Sequence, residues 1–253
     1  MTTGFNYRPW VVVAVLIGAW QWALGGHAVV SDTLVAPGPV LHATIRMLID
    51  GSALKAGGQT LLATLVGLAL GGGIGTIVGI ASGMARPLAS AIRGPVEVIR
   101  PLPAIALVPL MTIIFGLGLK MEVYVVSFAV IWPSIILSQH AVQNVEHELI
   151  EVADILEFGY VARTWKIILP AIWPRLVVML RFTAAIALLI AVTVELVSNP
   201  WGLGHEMMVA SWGLEPAKML AYLVVVTAIG WGLNWVLLLV ERIFTAGPGA
   251  AER

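Results

Sequence analysis

The charged residues of this chain are sparse, and three groups of them have spacings that can do work. Glu148, Glu151, Asp154 and Glu157 recur every third residue, with Leu149, Ile150, Val152, Ala153, Ile155 and Leu156 in the intervals. On a helix this gives an acidic stripe beside an apolar one, which serves either as an ordinary solvated face or as a docking face for a partner. Glu97 and Arg100 stand one helical turn apart, suited to a gate pair or to a local ion pair. Glu195 closes an uncharged run, where an ionisable group lines an entry path or sits at an interfacial helix end. His27, His42, His140, His147 and His205 show no metal-ligand spacing, so no metal is assigned.

Other chemistries are excluded by what the chain lacks. Without cysteine there is no disulfide, thiolate catalysis or cysteine-ligated metal. The formal net charge is zero and no basic run suggests nucleic acid. No Gly-x-x-x-x-Gly-Lys-Ser/Thr phosphate loop is present, nor any Gly-Lys pair. Energy from ATP would have to arrive through another chain.

The elements that position these residues are membrane helices. The chain has 253 residues, 59% hydrophobic and 11% charged, where a soluble domain carries roughly 25% charged residues. Uncharged gaps at 9–31, 56–85, 101–119, 123–145 and 219–240 each reach the ~20 apolar residues that cross a bilayer. A sixth span is expected at about 176–198, with Arg181 and Glu195 near its ends reaching toward headgroups. The expectation is an all-α membrane protein with six transmembrane helices. A cleaved signal peptide is the competing reading of the N-terminus, but no convincing small-x-small cleavage site follows the first apolar run, and its uncharged stretch at 9–31 suits a retained helix better.

With six spans both termini share a side. Arg8, Arg86, Arg93, Arg100, Arg163, Lys166, Arg175, Arg181, Arg242 and Arg253 fall on it, against Arg46, Lys55, Lys120 and Lys218 on the other. That ten-to-four bias puts both termini, and the loops at 86–100 and 142–175, in the cytoplasm. Residues 1–55 read as an appended helix and an extracytoplasmic linker with a segment along the membrane surface, 56–245 as the working unit, and 246–253 as a cytoplasmic tail.

Two local patterns complete the picture. Gly67, Gly71, Gly75, Gly79 and Gly83 recur every fourth residue, a ridge without side chains that suits tight packing or a sliding surface. After the acidic stripe, Gly159 can bend the chain, a short basic segment carries Arg163 and Lys166, and Pro170 and Pro174 end it before the next span. The product is a short helix, a bend and a second short helix.

This loop resembles the cytoplasmic signature of ABC importer permeases, a Glu-Ala-Ala, a Gly and an Ile-x-Leu-Pro at fixed distance. Glu151, Ala153, Ile167, Leu169 and Pro170 match in register, while Val152 replaces the middle Ala and Glu157 stands where the family has its glycine, two residues before Gly159. Arg100-Pro101-Leu-Pro103 through Pro109, then Phe115-Gly116-Leu-Gly118, resembles the proline-rich third span of the sulfonate, taurine and nitrate branch. Glu195-Leu followed by Gly202-Leu203-Gly204 resembles the loop between its last two spans, and Gln59-Thr60 through Thr64 its second-span start.

The resemblance implies a type I ABC importer transmembrane domain in a bacterial inner membrane. It would work with a second copy of itself, two cytoplasmic ATPase subunits that bind ATP and Mg, and an extracytoplasmic solute-binding protein. It places ATPase coupling on Glu151, Ala153, Asp154, Glu157, Gly159, Ile167, Leu169 and Pro170. Glu97, Arg100, Pro103, Pro109 and Glu195 are the candidates for the pathway or gate. The chain itself would not be an enzyme and would hold no cofactor. Small organic anions such as sulfonates, or nitrate, are the implied solutes. An ion-coupled secondary transporter is the alternative, but no inverted repeat with broken helices is visible. A membrane enzyme would need clustered His, Asp or Glu, and none is seen.

Overall fold

In a bilayer, backbone amides find partners only within their own segment, so long apolar runs fold as helices. The computed structural model of the protein describes residues 8–24 and 35–245, which are helical apart from short connections. Helix α1 spans Arg8–Trp22 and α2 Pro37–Ile49. Helix α3 (Ser52–Gly67), a π-helical turn (Leu68–Gly72) and α4 (Gly73–Met84) form one run of 33 residues. Then come α5 (Arg86–Ile99), a 3-10 turn (Ala104–Leu107), α6 (Val108–Phe115) and α7 (Leu119–Gln143). Helices α8 (His147–Ile155) and α9 (Tyr160–Arg163), a π-helical turn (Thr164–Ile168), α10 (Leu169–Val197), α11 (Leu203–Trp212) and α12 (Pro216–Thr245) complete the chain.

The six expected spans are not all reproduced. Among the described residues four runs are long and apolar enough to cross a membrane, Ser52–Met84, Leu119–Gln143, Val161–Val197 and Pro216–Arg242. The pair Arg86–Ile99 and Ala104–Phe115 is bent by 81°, and together the two have the length and composition of a fifth, broken span or of a re-entrant segment. The expected span at 101–119 is therefore broken. Pro101 and Pro103 supply no N–H and exclude helix from the residues before them, leaving Ala104–Phe115 only ~18 Å long at 1.5 Å per residue. The expected loop at 86–100 is instead a helix. Helix α1 has 15 residues, and the expected span at 9–31 runs on beyond the described residues. The tail at 246–253 and part of the linker lie outside the described residues.

Helix α4 lies along α7, and the glycine ridge is the contact. A Cβ at Gly75 would stand 2.5 Å from the Ile131 carbonyl oxygen, and one at Gly79 2.5 Å from that of Ile135. At Gly71 it would collide with the Ser127 backbone, at Gly67 with Val126 and at Gly83 with Val142. Ser127, Ile131 and Ile135 are themselves four apart, so two backbones run in register with nothing between them. Behind them Leu68, Val126, Val130, Ala184, Ala187 and Ala191 form the middle of the core, where alanines let α10 approach α7. One end of the bundle packs through Ala141, Val142, Ile168, Ile172 and Met179. The other packs through Val40, Met47, Ala56, Leu203, Ala221 and Tyr222 of α2, α3, α11 and α12.

Prolines 170 and 174 do not end the segment before the long helix, contrary to expectation. Tyr160 to Val197 is one continuous helical run. Pro170 lies in the first turn of α10, directly after the π-helical turn, where a missing N–H and fixed φ are tolerated. Arg175 steadies this end by donating from Nη1 to the carbonyls of Ala141 (3.1 Å) and Asn144 (2.7 Å) as α7 closes, which satisfies acceptors that a helix C-terminus leaves open.

Candidate functional site

The coupling-loop candidates sit at the end of the bundle where α7 closes. Helix α8 is amphipathic, yet its apolar side is not covered. Leu149, Val152, Ile155 and Leu156 are exposed, Ile155 at 79%, and Val161 and Trp165 extend the patch. Ile150, expected on this apolar side, is half-buried, as is Phe158, which carries Lys166 Nζ 5.1 Å above its ring. On the acidic side His147 Nε2 lies 3.4 Å from Glu151 Oε1. The side chains of Ala153 and Asp154 lie outside the described set. Ile167 and Leu169 are half-buried at the root of the loop, while Pro170 is exposed.

The bend falls at Glu157, not at Gly159. Glu157 has φ 50°, in the left-handed region, whereas Gly159 has no positive φ and a Cβ there would meet nothing within 4 Å. The geometry that favours glycine thus stays at the position where the resemblance puts one, although this chain has glutamate there. Holding a side chain in that region costs ~1–2 kcal/mol.

At the opposite end, Glu195 is 1% exposed. Its Oε2 accepts the backbone N–H of Gly204 at 2.8 Å and the Thr60 hydroxyl at 3.0 Å. Thr60 Oγ1 in turn accepts the N–H of Leu203 at 2.9 Å. Leu203 and Gly204 open α11, so α10 and α3 together satisfy donors that the first turn of a helix leaves unpaired. Gly202 makes the entry possible: its φ is 101°, and a Cβ would collide with the Glu195 carboxylate. Glu122, 2% exposed, accepts from Asn199 Nδ2 at 2.6 Å and flanks Glu195. Glu195 is therefore buried among capping partners and lines none of the cavities described here.

Thr60, Glu122 and Asn199 were not singled out by sequence reasoning as partners of Glu195. The one available signal was Glu122 standing at the very edge of an uncharged run.

The gate candidates separate. Glu97 pairs with Arg93 at 3.5 Å, not with Arg100, as i, i+4 geometry on α5 allows. Pro103 precedes the 3-10 turn and Pro109 lies in the first turn of α6, both exposed. Arg181 Nη1 meets Glu241 Oε2 at 3.0 Å, tying α10 to α12. A cavity of about 1060 Å³ at the α11 end is lined by His42, Arg46, Asp50, Glu206, Glu215 and Lys218, among others. There Ser52 donates to Asp50, including its N–H to Oδ1 at 2.9 Å, and holds that carboxyl below its ordinary value. No group of three or more His, Cys, Asp or Glu among the described residues is placed to hold a metal.

Comparison with known proteins places this geometry in context. Residues 71–247 match the family described as "Binding-protein-dependent transport system inner membrane component". The chain is 28% identical to the putative aliphatic sulfonates transport permease protein SsuC of Bacillus subtilis, over 90% of this chain and 83% of that one. It is 27% identical to the taurine transport system permease protein TauC of Escherichia coli, over 95% and 89%. It is 25% identical to the nitrate import permease protein NrtB of Synechocystis, over 78% and 74%. Among solved structures, an inward-facing MetNI methionine ABC transporter superimposes with a TM-score of 0.62 at 17% identity, covering 81% of this chain and 98% of that one. The fold is that of a type I ABC importer transmembrane domain.

Proposed function

The chain belongs to the family of binding-protein-dependent transport system inner membrane components, and from that membership we propose how it works as the membrane-spanning permease subunit of an ABC importer. Two copies form the translocation pathway. Two ATPase subunits bind ATP and Mg and dock at the 147–170 loop. A solute-binding protein delivers its cargo at the end carrying α2 and α11. The charge bias of the sequence supports a cytoplasmic location for the loop and both termini, in a bacterial inner membrane.

The observation that carries this reading is the uncovered apolar face of α8, with Leu149, Val152, Ile155 and Leu156 exposed on a segment that also bears Glu148 and Glu151. A patch of this kind at the end of the bundle suits a partner surface. The unbroken helix from Tyr160 to Val197 supports a mechanical role, since a push on α9 is carried along the run to Glu195 and the α11 junction. Coupling then falls on Glu151, Ala153, Asp154, Glu157, Ile167, Leu169 and Pro170, while Gly159, in open space beside the bend, tolerates a small side chain. The pathway candidates that remain are Glu97, Arg100, Pro103 and Pro109, all exposed in the single chain.

The relatives named for aliphatic sulfonates, taurine and nitrate favour a small anion as cargo. Affinity purification of the tagged chain, followed by mass measurement of the intact complex, tests the assembly. Two permease and two ATPase chains are expected, and a lone permease that transports solute with a proton or sodium gradient would overturn it. Ligand screening of the partner binding protein tests the cargo: tight binding of a sulfonate or of nitrate is expected, and selective binding of a cation or sugar would overturn it.

A further inference from the structure

Helix α5 carries a feature that ATPase docking and cargo delivery leave unused. Arg86, Arg93 and Arg100 are seven residues apart, which on a helix puts them within one narrow stripe and ~10 Å from one to the next. They line a cavity of about 730 Å³ whose other wall is the end of α7, with Gln139, His140 and Gln143. Glu97 is the one carboxylate in that lining, and it is engaged by Arg93 at 3.5 Å. Arg86 and Arg100 are exposed and have no carboxylate partner among the described residues. The lining therefore carries three positive charges against one negative, in a chain whose formal net charge is zero.

The rest of α5 says where this row lies. Val96 is buried against the bundle and fixes the helix orientation. Leu88 and Val98, the latter 75% exposed, face away from the stripe with Ala91 and Pro95, so the helix is apolar on its free side and basic along its edge. That is the composition of a helix lying in the interface of a bilayer, and the bend of 81° to the following apolar segment turns α5 away from the direction that segment takes.

We propose that the Arg86–Arg93–Arg100 row, with Gln139, His140 and Gln143 opposite, is a binding site for oxyanion groups of the phosphate or sulfonate type. Guanidinium forks match the oxygens of such groups two at a time, and the neutral amides and imidazole supply further donors. The row is ~20 Å long from first to last arginine, so it accommodates more than one such group. Anionic lipid headgroups and soluble oxyanions on their way through the vestibule share this chemistry. The soluble source rests on the import reading; the lipid source does not.

The test uses the full-length purified chain and two probes. Phosphatidylglycerol, against phosphatidylcholine at equal concentration, is counted on the protein by native mass spectrometry. Labelled methanesulfonate is measured by equilibrium binding in phosphatidylcholine nanodiscs. The double variant R86Q/R100Q is expected to bind at least one probe about 10- to 30-fold more weakly, roughly a factor of five per arginine at a charged surface. E97Q, which removes the one opposing carboxylate of an exposed pair, is expected to tighten the same probe several-fold, a gain that misfolding does not produce. R46Q, in the other cavity, is expected to behave as wild type. Loss confined to the lipid probe assigns the row to headgroups, and loss confined to methanesulfonate assigns it to soluble anions. Equal affinity of wild type and R86Q/R100Q for both probes, or no tightening of either by E97Q, overturns the proposal.

Discussion

The carboxylate of Glu195, in the last turn of α10, accepts the backbone N–H of Gly204 at 2.8 Å and so caps α11 from a neighbouring helix. The buried carboxyl is accommodated here because the N-terminus of α11 and the Thr60 hydroxyl supply its hydrogen-bond partners. Glu195→Ala leaves the buried N–H of Gly204 without its acceptor, while the Thr60 hydroxyl keeps the Ala56 carbonyl at 3.2 Å, and is expected to cost ~1–3 kcal/mol. Glu195→Gln keeps a carbonyl oxygen for Gly204 and is expected to cost less than half as much. Thermal melts followed by tryptophan fluorescence in detergent distinguish the two; equal losses would mean the cap contributes nothing.

The glycine ridge predicts opposite signs for adjacent substitutions. Gly75→Ala drives a methyl to within 2.5 Å of the Ile131 carbonyl, so α4 and α7 must separate and the melting temperature should fall. Gly73→Ala meets nothing within 4 Å and replaces glycine in a helix, for a gain of ~0.5–1 kcal/mol. Equal melting temperatures for the two variants would remove the ridge as a structural contact.

Much of this arrangement was legible in the sequence, for physical reasons that also mark where legibility stops. Periodicity exposes the glycine ridge, because a four-residue repeat on a helix defines a line whatever it touches. It does not name the partner, and Ser127, Ile131 and Ile135 carry no complementary signal. The acidic repeat of 148–157 gives α8 in the same way. Glu195 was visible as an ion at the end of an apolar run, but its partners Thr60, Gly204 and Glu122 are brought together by tertiary packing from 9 to 135 residues away. Hydropathy suggested a span at 101–119 because a composition window does not register that Pro101 and Pro103 break the helix. For Glu157, glycine content pointed to Gly159, while backbone dihedrals put the bend two residues earlier.

That bend yields a third prediction. Glu157→Gly relieves the left-handed strain and is expected to hold or raise loop stability, by up to ~1 kcal/mol. Gly159→Ala is expected to leave uptake within about two-fold of wild type, because a Cβ there is in open space. Hydrogen exchange of 155–160, read beside uptake assays, checks both. Faster exchange in Glu157→Gly, or loss of uptake in Gly159→Ala, would contradict the placement of the bend.

Orientation can be read directly because the chain has no cysteine. Single cysteines at Thr2 and at Ala250 are expected to resist an impermeant thiol reagent in intact cells and to react after permeabilisation. A cysteine at Ser211, in α11, is expected to react in intact cells. The reverse pattern would invert the assignment of both ends of the bundle.

The exposed face of α8 is the point on which the importer reading depends most. Ile155 is 79% exposed and Glu151 touches only His147 among the pairs described, so Ile155→Asp with Glu151→Lys should leave the melting temperature of the permease unchanged. The decisive measurement is solute-stimulated ATP hydrolysis and uptake by the importer reconstituted in liposomes with this double variant. Both activities are expected to fall together by at least ten-fold, through lost coupling or lost ATPase subunits, since the change puts the wrong charge and a polar group on a contact face. Wild-type uptake by the double variant, with its ATPase subunits bound, would contradict the assignment of 147–170 as the element through which ATP drives this chain.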